Sequence, residues 1–155
     1  MIKGIHRFYR KNFWAAAKAH LFDLFDQDNK LIHAVVLIEM LPLARTRLTY
    51  VWRQLSESGS LKVRKRNLRT KEERILVDRK LSKTEVGELI QRITEESLPS
   101  YSGPARDGVF YSLCWGHQSQ NVTLSITNPQ VGSQRHQDFI NMLTNSAREW
   151  IWLFD

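Results

Sequence analysis

The chain is predicted to fold as an α+β domain: a mainly antiparallel sheet of about five to seven strands with two amphipathic helices packed on one face. Three observations carry this expectation. Apolar and polar residues alternate with period two through residues 46–81 and again through 122–127. Apolar stripes at helical spacing occupy 86–93 and 139–151. The helices follow runs of strands rather than alternating with single strands, which separates α+β from a parallel α/β order.

The 155 residues fit one domain, 1–155. An apolar share of 42%, with 7 Phe, 5 Trp and 4 Tyr, is enough material for a core and argues against global disorder. No apolar run approaches the roughly 18 residues a membrane-spanning helix needs. Cys114 is the sole cysteine, so it has no intrachain disulfide partner. With the apolar N-terminal stretch broken by Lys18, His20, Asp23 and Asp26, no secretory signal is expected, and a reducing, cytoplasmic setting is predicted. Arg7, Arg10 and Lys11 raise a transit peptide or membrane-surface segment as an alternative, opposed by the core-like Trp14, Leu21, Phe22, Leu24 and Phe25.

Residues 5–26 fit two templates. Ile5, Phe8, Phe13, Ala17, Leu21 and Leu24 recur at helical spacing, yet HLFDLFDQDNKLIHAVVLIEM also reads as two strands around a polar turn at 27–30. The favoured expectation is helix or irregular chain to Asn12 followed by a hairpin. Leu31 to Leu41 is a short, β-branched apolar run ending at Pro42, which suits a buried strand. In 46–55, Leu48, Tyr50 and Trp52 point one way and Arg47, Thr49 and Arg53 the other. SESGS (56–60) is a turn in which Gly59 can take a positive φ at little cost. Leu61 and Val63 then alternate with Lys62, Arg64 and Arg66, and Ile75 and Val77 with Arg74 and Asp78.

Ser82 and Glu85 form a capping box. Val86, Leu89, Ile90 and Ile93 stripe the helix that follows, which Pro99 stops near Leu98. Residues 100–108 read as a loop and Val109 to Trp115 as a strand. Val122, Leu124 and Ile126 alternate strictly with Thr123, Ser125 and Thr127. Phe139, Ile140, Leu143, Ala147 and Trp150 stripe the final helix.

Charge is unevenly placed. Residues 45–83 carry thirteen Lys and Arg against four acids, whereas 84–155 carry four against eight. If the helices cover one sheet face, the other carries Arg47, Arg53, Lys62, Arg64, Arg66 and Arg74 at fixed spacing.

Little in the sequence indicates catalysis. Phosphate-binding glycine loops, G-x-S-x-G and H-E-x-x-H are missing. Cys114-x-x-His117 supplies two of the four ligands of a structural zinc site, so no metal is assigned, and Cys114 reads as a small buried residue. His20 and Asp23 would share a face only on a helix. His136 and Asp138 sit near a helix start, where a capping role fits. Glu39 interrupts an apolar run and reads as a strand end reaching solvent, with a buried, paired carboxylate as the alternative. Glu95 and Glu96, near a helix C-terminus, oppose the dipole preference and suggest a cationic neighbour. Trp115, beside Gly116, is a candidate for exposure.

These features predict a non-enzymatic protein-binding module of inhibitor, immunity or adaptor type. Its basic face (Arg47, Arg53, Lys62, Arg64 and Arg66) would dock an acidic partner, with Trp152 and Phe154 as an apolar anchor and no cofactor. Sequence-nonspecific nucleic-acid binding is the alternative, given a pI of about 9.8. An enzyme with scattered site residues is the third.

Overall fold

A computed structural model describes residues 13–103 and 108–154, except for the side chains of 146 and 148–154. The elements in chain order are α1 (Ala16–Gln27), β1 (His33–Leu41), β2 (Thr46–Gln54), β3 (Gly59–Asn67), β4 (Glu73–Leu81), α2 (Lys83–Glu96), β5 (Tyr101–Ser102), β6 (Phe110–Gly116), β7 (Asn121–Thr127) and α3 (Gln134–Phe154). The strands form one sheet in the order β4-β3-β2-β1-β6-β7-β5. Every pairing is antiparallel except that of the two-residue β5 with β7. The α+β class and the mostly antiparallel sheet agree with the sequence reading.

Alternation sorts side chains onto two faces. One face buries Val35, Leu37, Tyr50, Trp52, Leu61, Val63, Leu113 and Ile126 against Val86 and Ile93 of α2 and Phe139, Ile140 and Leu143 of α3. The other packs Ala34, Val36, Ile38, Val51 and Cys114 against Ala17, Leu21 and Leu24 of α1. β1 is therefore buried on both sides from Ala34 to Glu39. That accounts for its unbroken apolar run where its neighbours alternate.

The expectation of two helices on a single face is corrected here. There are three helices, and α1 occupies the opposite face. The hairpin expected after Asn12 is a helix up to Gln27. Ala17, Leu21 and Leu24 fall at i, i+4 and i+7, so one helical stripe buries all three, whereas a strand would turn Leu21 and Leu24 to opposite sides. Ala15 offers no capping side chain. A neighbouring strand supplies the cap: the Ser112 hydroxyl of β6 accepts from the Ala17 amide (3.2 Å) and donates to the Trp14 carbonyl (3.3 Å). The expected polar turn is present, with Asp28 Oδ1 accepting from the Lys30 amide at 2.9 Å. The transit or membrane-surface reading falls largely on residues 1–12, outside the described residues. Among those described, no helix is long and apolar enough to cross a membrane.

Two finer corrections concern β3 and β4. Among the described residues, the positive-φ glycines are Gly116 and Gly132, not Gly59. Gly59 is needed for space instead, because a Cβ there would lie 2.7 Å from Val86 Cγ2 and 2.9 Å from the Ser82 carbonyl oxygen. The second is a β-bulge. Val63 pairs with Val77 and Arg64 with Ile75, so Leu76 is the extra residue. The slip turns Ile75 onto the basic face. Arg74 moves to the helix-covered side, opposite Lys65, and does not join the basic row it was expected to extend.

The Ser82–Glu85 capping box is formed in both directions. Ser82→Ala should lower stability by about 1 kcal/mol, read as a shift in urea midpoint at unchanged slope. Arg135 Nη2 donates to the Glu96 carbonyl at 2.9 Å, so the cationic neighbour of the α2 C-terminus is a residue of α3.

Candidate functional site

α1 packs on β1 and β6 and reaches Val51 of β2, and among the described residues no further helix packs on its face of β2, β3 and β4. The residues predicted to form a basic patch lie there. Across β2 and β3 the register places Arg47 opposite Arg66, Thr49 opposite Arg64, Val51 opposite Lys62 and Arg53 opposite Ser60. The expected open basic face is thus half of one sheet face, walled by α1 on one side and bounded by β4 on the other.

The charges differ in how they are compensated. Arg64 Nη1 donates to Glu73 Oε1 at 3.2 Å, and Lys62 Nζ lies 4.0 Å from Asp78 Oδ2. Exposed pairs of this kind contribute between nothing and about 1 kcal/mol and open readily to a competing anion. Arg47, Arg53 and Arg66 have no acid within ion-pair distance among the described residues. Arg47 and Arg66 form a like-charge cross-strand pair, an arrangement that works against the fold and is partly offset by Glu73, in register with Arg66 on β4. Arg47 Nε is buried with no hydrogen-bond partner among the described residues. Burial and then Arg66 hold the Arg47 pKa below the usual arginine range, with Glu73 opposing.

Between α1 and the sheet runs a trough of about 160 Å³, lined by His20, Asp23, Leu24 and Gln27 from the helix and Val51, Arg53, Lys62 and Arg64 from the strands. His20 and Asp23 do share a helix face. The His20 pKa is pushed below the ordinary 6.5, first by burial and then by Arg47, with Arg64 and Arg53 adding and Asp23 opposing. The unfolded chain therefore binds more protons at this site just below pH 6.5. Stability from this group is complete above that value and is lost as pH falls through it. His20→Gln should flatten that part of a stability–pH curve, measured by thermal melts between about pH 5 and 7.5.

Other candidate residues are placed elsewhere. Trp152 and Phe154 belong to the last turns of α3, and their side chains lie outside the described residues. Trp115, a candidate for exposure, is buried and donates from Nε1 to Thr94 Oγ1 at 3.2 Å. Glu39 does not reach solvent: it is 2% exposed and accepts from the Tyr50 hydroxyl at 3.3 Å. Cys114 is buried, its pKa raised chiefly by that burial, and it accepts from Thr123 Oγ1 at 3.6 Å. A raised thiol pKa keeps the unreactive protonated form. His117 packs edge-on against Phe25, with ring centres 4.6 Å apart. His136 joins Ser133 and the Pro99 carbonyl at the start of α3. Among the described residues no group of three His, Cys, Asp or Glu gathers as a metal site.

A second cavity of about 220 Å³ lies on the other side of the molecule, lined by Arg92, Glu96, Arg135, Asp138, Phe139 and Met142. Its lining holds two cations and two acids, so its formal charges balance. The helix wall of the trough was not among the residues expected to form the site. Its signals in the sequence were the 17/21/24 spacing and the His20–Asp23 pair, which share a face on a helix. Compared with known proteins, the chain matches no family model, no curated protein and no solved structure.

Proposed function

We propose that this protein is a binding module that docks an acidic protein surface through the uncovered half-face of its sheet, with Arg47, Arg53, Lys62, Arg64 and Arg66 as the contact charges. The observation that carries this reading is the in-register Arg47–Arg66 pair, two like charges held opposite each other across β2 and β3. An arrangement unfavourable to the free fold becomes favourable once an anion sits between the guanidinium groups.

The borders of the stripe favour a protein over nucleic acid. Asp23 stands on the α1 side, and Glu73 and Asp78 stand on the β4 side. Ile75, 52% exposed, adds an apolar contact on the same face. A continuous phosphate backbone would meet repulsion at both borders, whereas a protein surface can alternate charge and apolar contact.

The test compares two ligands in 150 mM salt (about an 8 Å screening length): a 20-residue Glu/Gly polypeptide and a DNA duplex matched in total charge. The polypeptide is expected to bind at least about tenfold more tightly, some 1.4 kcal/mol. The reverse order, with a steep salt slope for the duplex, would replace this reading with the nucleic-acid one.

A further inference from the structure

We infer that the trough between α1 and strands β2 and β3 is the anchor pocket of the basic face and receives one carboxylate side chain of the acidic partner, held by Arg53, Arg64 and Lys62 with His20 above it. This rests on the docking reading and adds a specific site to it. At about 160 Å³ the trough is smaller than the roughly 300–1,000 Å³ of small-molecule pockets and suits a single side-chain head group. With Arg47, which also acts on His20, four cations meet three acids, Asp23, Glu73 and Asp78, leaving one positive charge for a monoanion to balance. Leu24 and Val51 form the apolar floor that a glutamate's methylenes would cover. Among the described residues Arg64 bonds Glu73 through Nη1, which leaves further N–H groups of its guanidinium to meet an incoming carboxylate.

Filling this pocket has a consequence for His20. The groups facing it among the described residues are Asp23 on its own helix, Arg47 and Arg53 on β2, and Arg64 on β3. The three arginines oppose its protonation, and a carboxylate bound among them cancels part of that opposition. Binding therefore takes up a proton at His20, and affinity rises as pH falls below the bound-state value. It is flat above that value, where His20 is neutral in both states.

The experiment follows the His20 ring resonances by NMR through pH titrations of the whole chain. The probes are an N-acetylated, C-amidated hexaglutamate and, separately, inorganic phosphate. Hexaglutamate is expected to raise the His20 midpoint by at least about half a pH unit, leaving His33 and His117 unmoved. Phosphate is expected to raise it less. R53Q/R64Q should lose the shift. H20Q should bind hexaglutamate with an affinity that is level from pH 5.5 to 7.5, where the native chain gains about threefold, the affinity equivalent of half a pH unit.

If hexaglutamate perturbs β2 and β3 amides but leaves the His20 midpoint in place, the anchor pocket is wrong while the docking reading stands. If phosphate moves the midpoint and hexaglutamate does not, the carboxylate assignment is overturned. If hexaglutamate perturbs nothing, docking and anchor fail together.

Discussion

R53E/R66E is expected to weaken binding of the Glu/Gly polypeptide by on the order of a hundredfold, about 2.8 kcal/mol. Neither arginine has an acidic partner among the described residues. Their reversal removes two attractive charges and introduces two repulsive ones, and Glu73, in register with Arg66, keeps its hydrogen bond from Arg64. The same variant should fold about as stably as the native chain, within about 0.5 kcal/mol. An acid at 66 would face Arg47 across β2 and β3 but Glu73 across β3 and β4, so a new opposite-charge pair is offset by a new like-charge one. Loss of binding together with retained or raised stability is the signature of charges kept for a partner. Isothermal titration and urea melts on one preparation measure both. A variant that unfolded more easily would mean that the arginines serve the fold.

The second large effect lies in the helix that walls the trough. Leu21→Ala is expected to cost about 2–5 kcal/mol, a sizeable part of the roughly 5–15 kcal/mol available to a domain of this kind. Leu21 is fully buried within the cluster of Ala17, Leu24, Val36, Ile38 and Val51, so truncation leaves a cavity between α1 and the sheet. Denaturant unfolding should show the loss. Amide exchange should show it concentrated in α1, since the other core lies across the sheet. Uniform loosening of α2 and α3 instead would mean that the two faces form one cooperative unit.

How much of this was legible in the sequence differs by element, for physical reasons. β3 and β7 carry one buried and one more open face, as does β2 except at Val51, and period-two alternation exposes them directly. α2 announces itself through its capping box and stripe. β1 could be read as a strand because its apolar run is too short for a long helix and ends at Pro42. That it is covered from both sides was a property of α1, not of β1 itself.

α1 was misread because Phe22 and Phe25 lie beside the Ala17–Leu21–Leu24 stripe and blur its period, and because its N-terminal cap comes from Ser112, 95 residues away. A long-range hydroxyl leaves no local signal. The basic row was legible as five residues of one face. Arg74 fell out of it because a single inserted residue, Leu76, inverts every side chain beyond the bulge. The trough needed both α1 and the sheet to be placed, so neither segment alone contained it.

The most direct test of the docking claim is photo-crosslinking in the cells that make the protein. A benzophenone amino acid would replace Ile75, which stands exposed beside Arg64 on the basic face, or Glu88, exposed on α2. The Ile75 probe is expected to yield one discrete protein adduct that nuclease leaves intact and that disappears in R53E/R66E, with no such adduct from the Glu88 probe. A nuclease-sensitive smear, or an adduct that persists through the charge reversal, would contradict it.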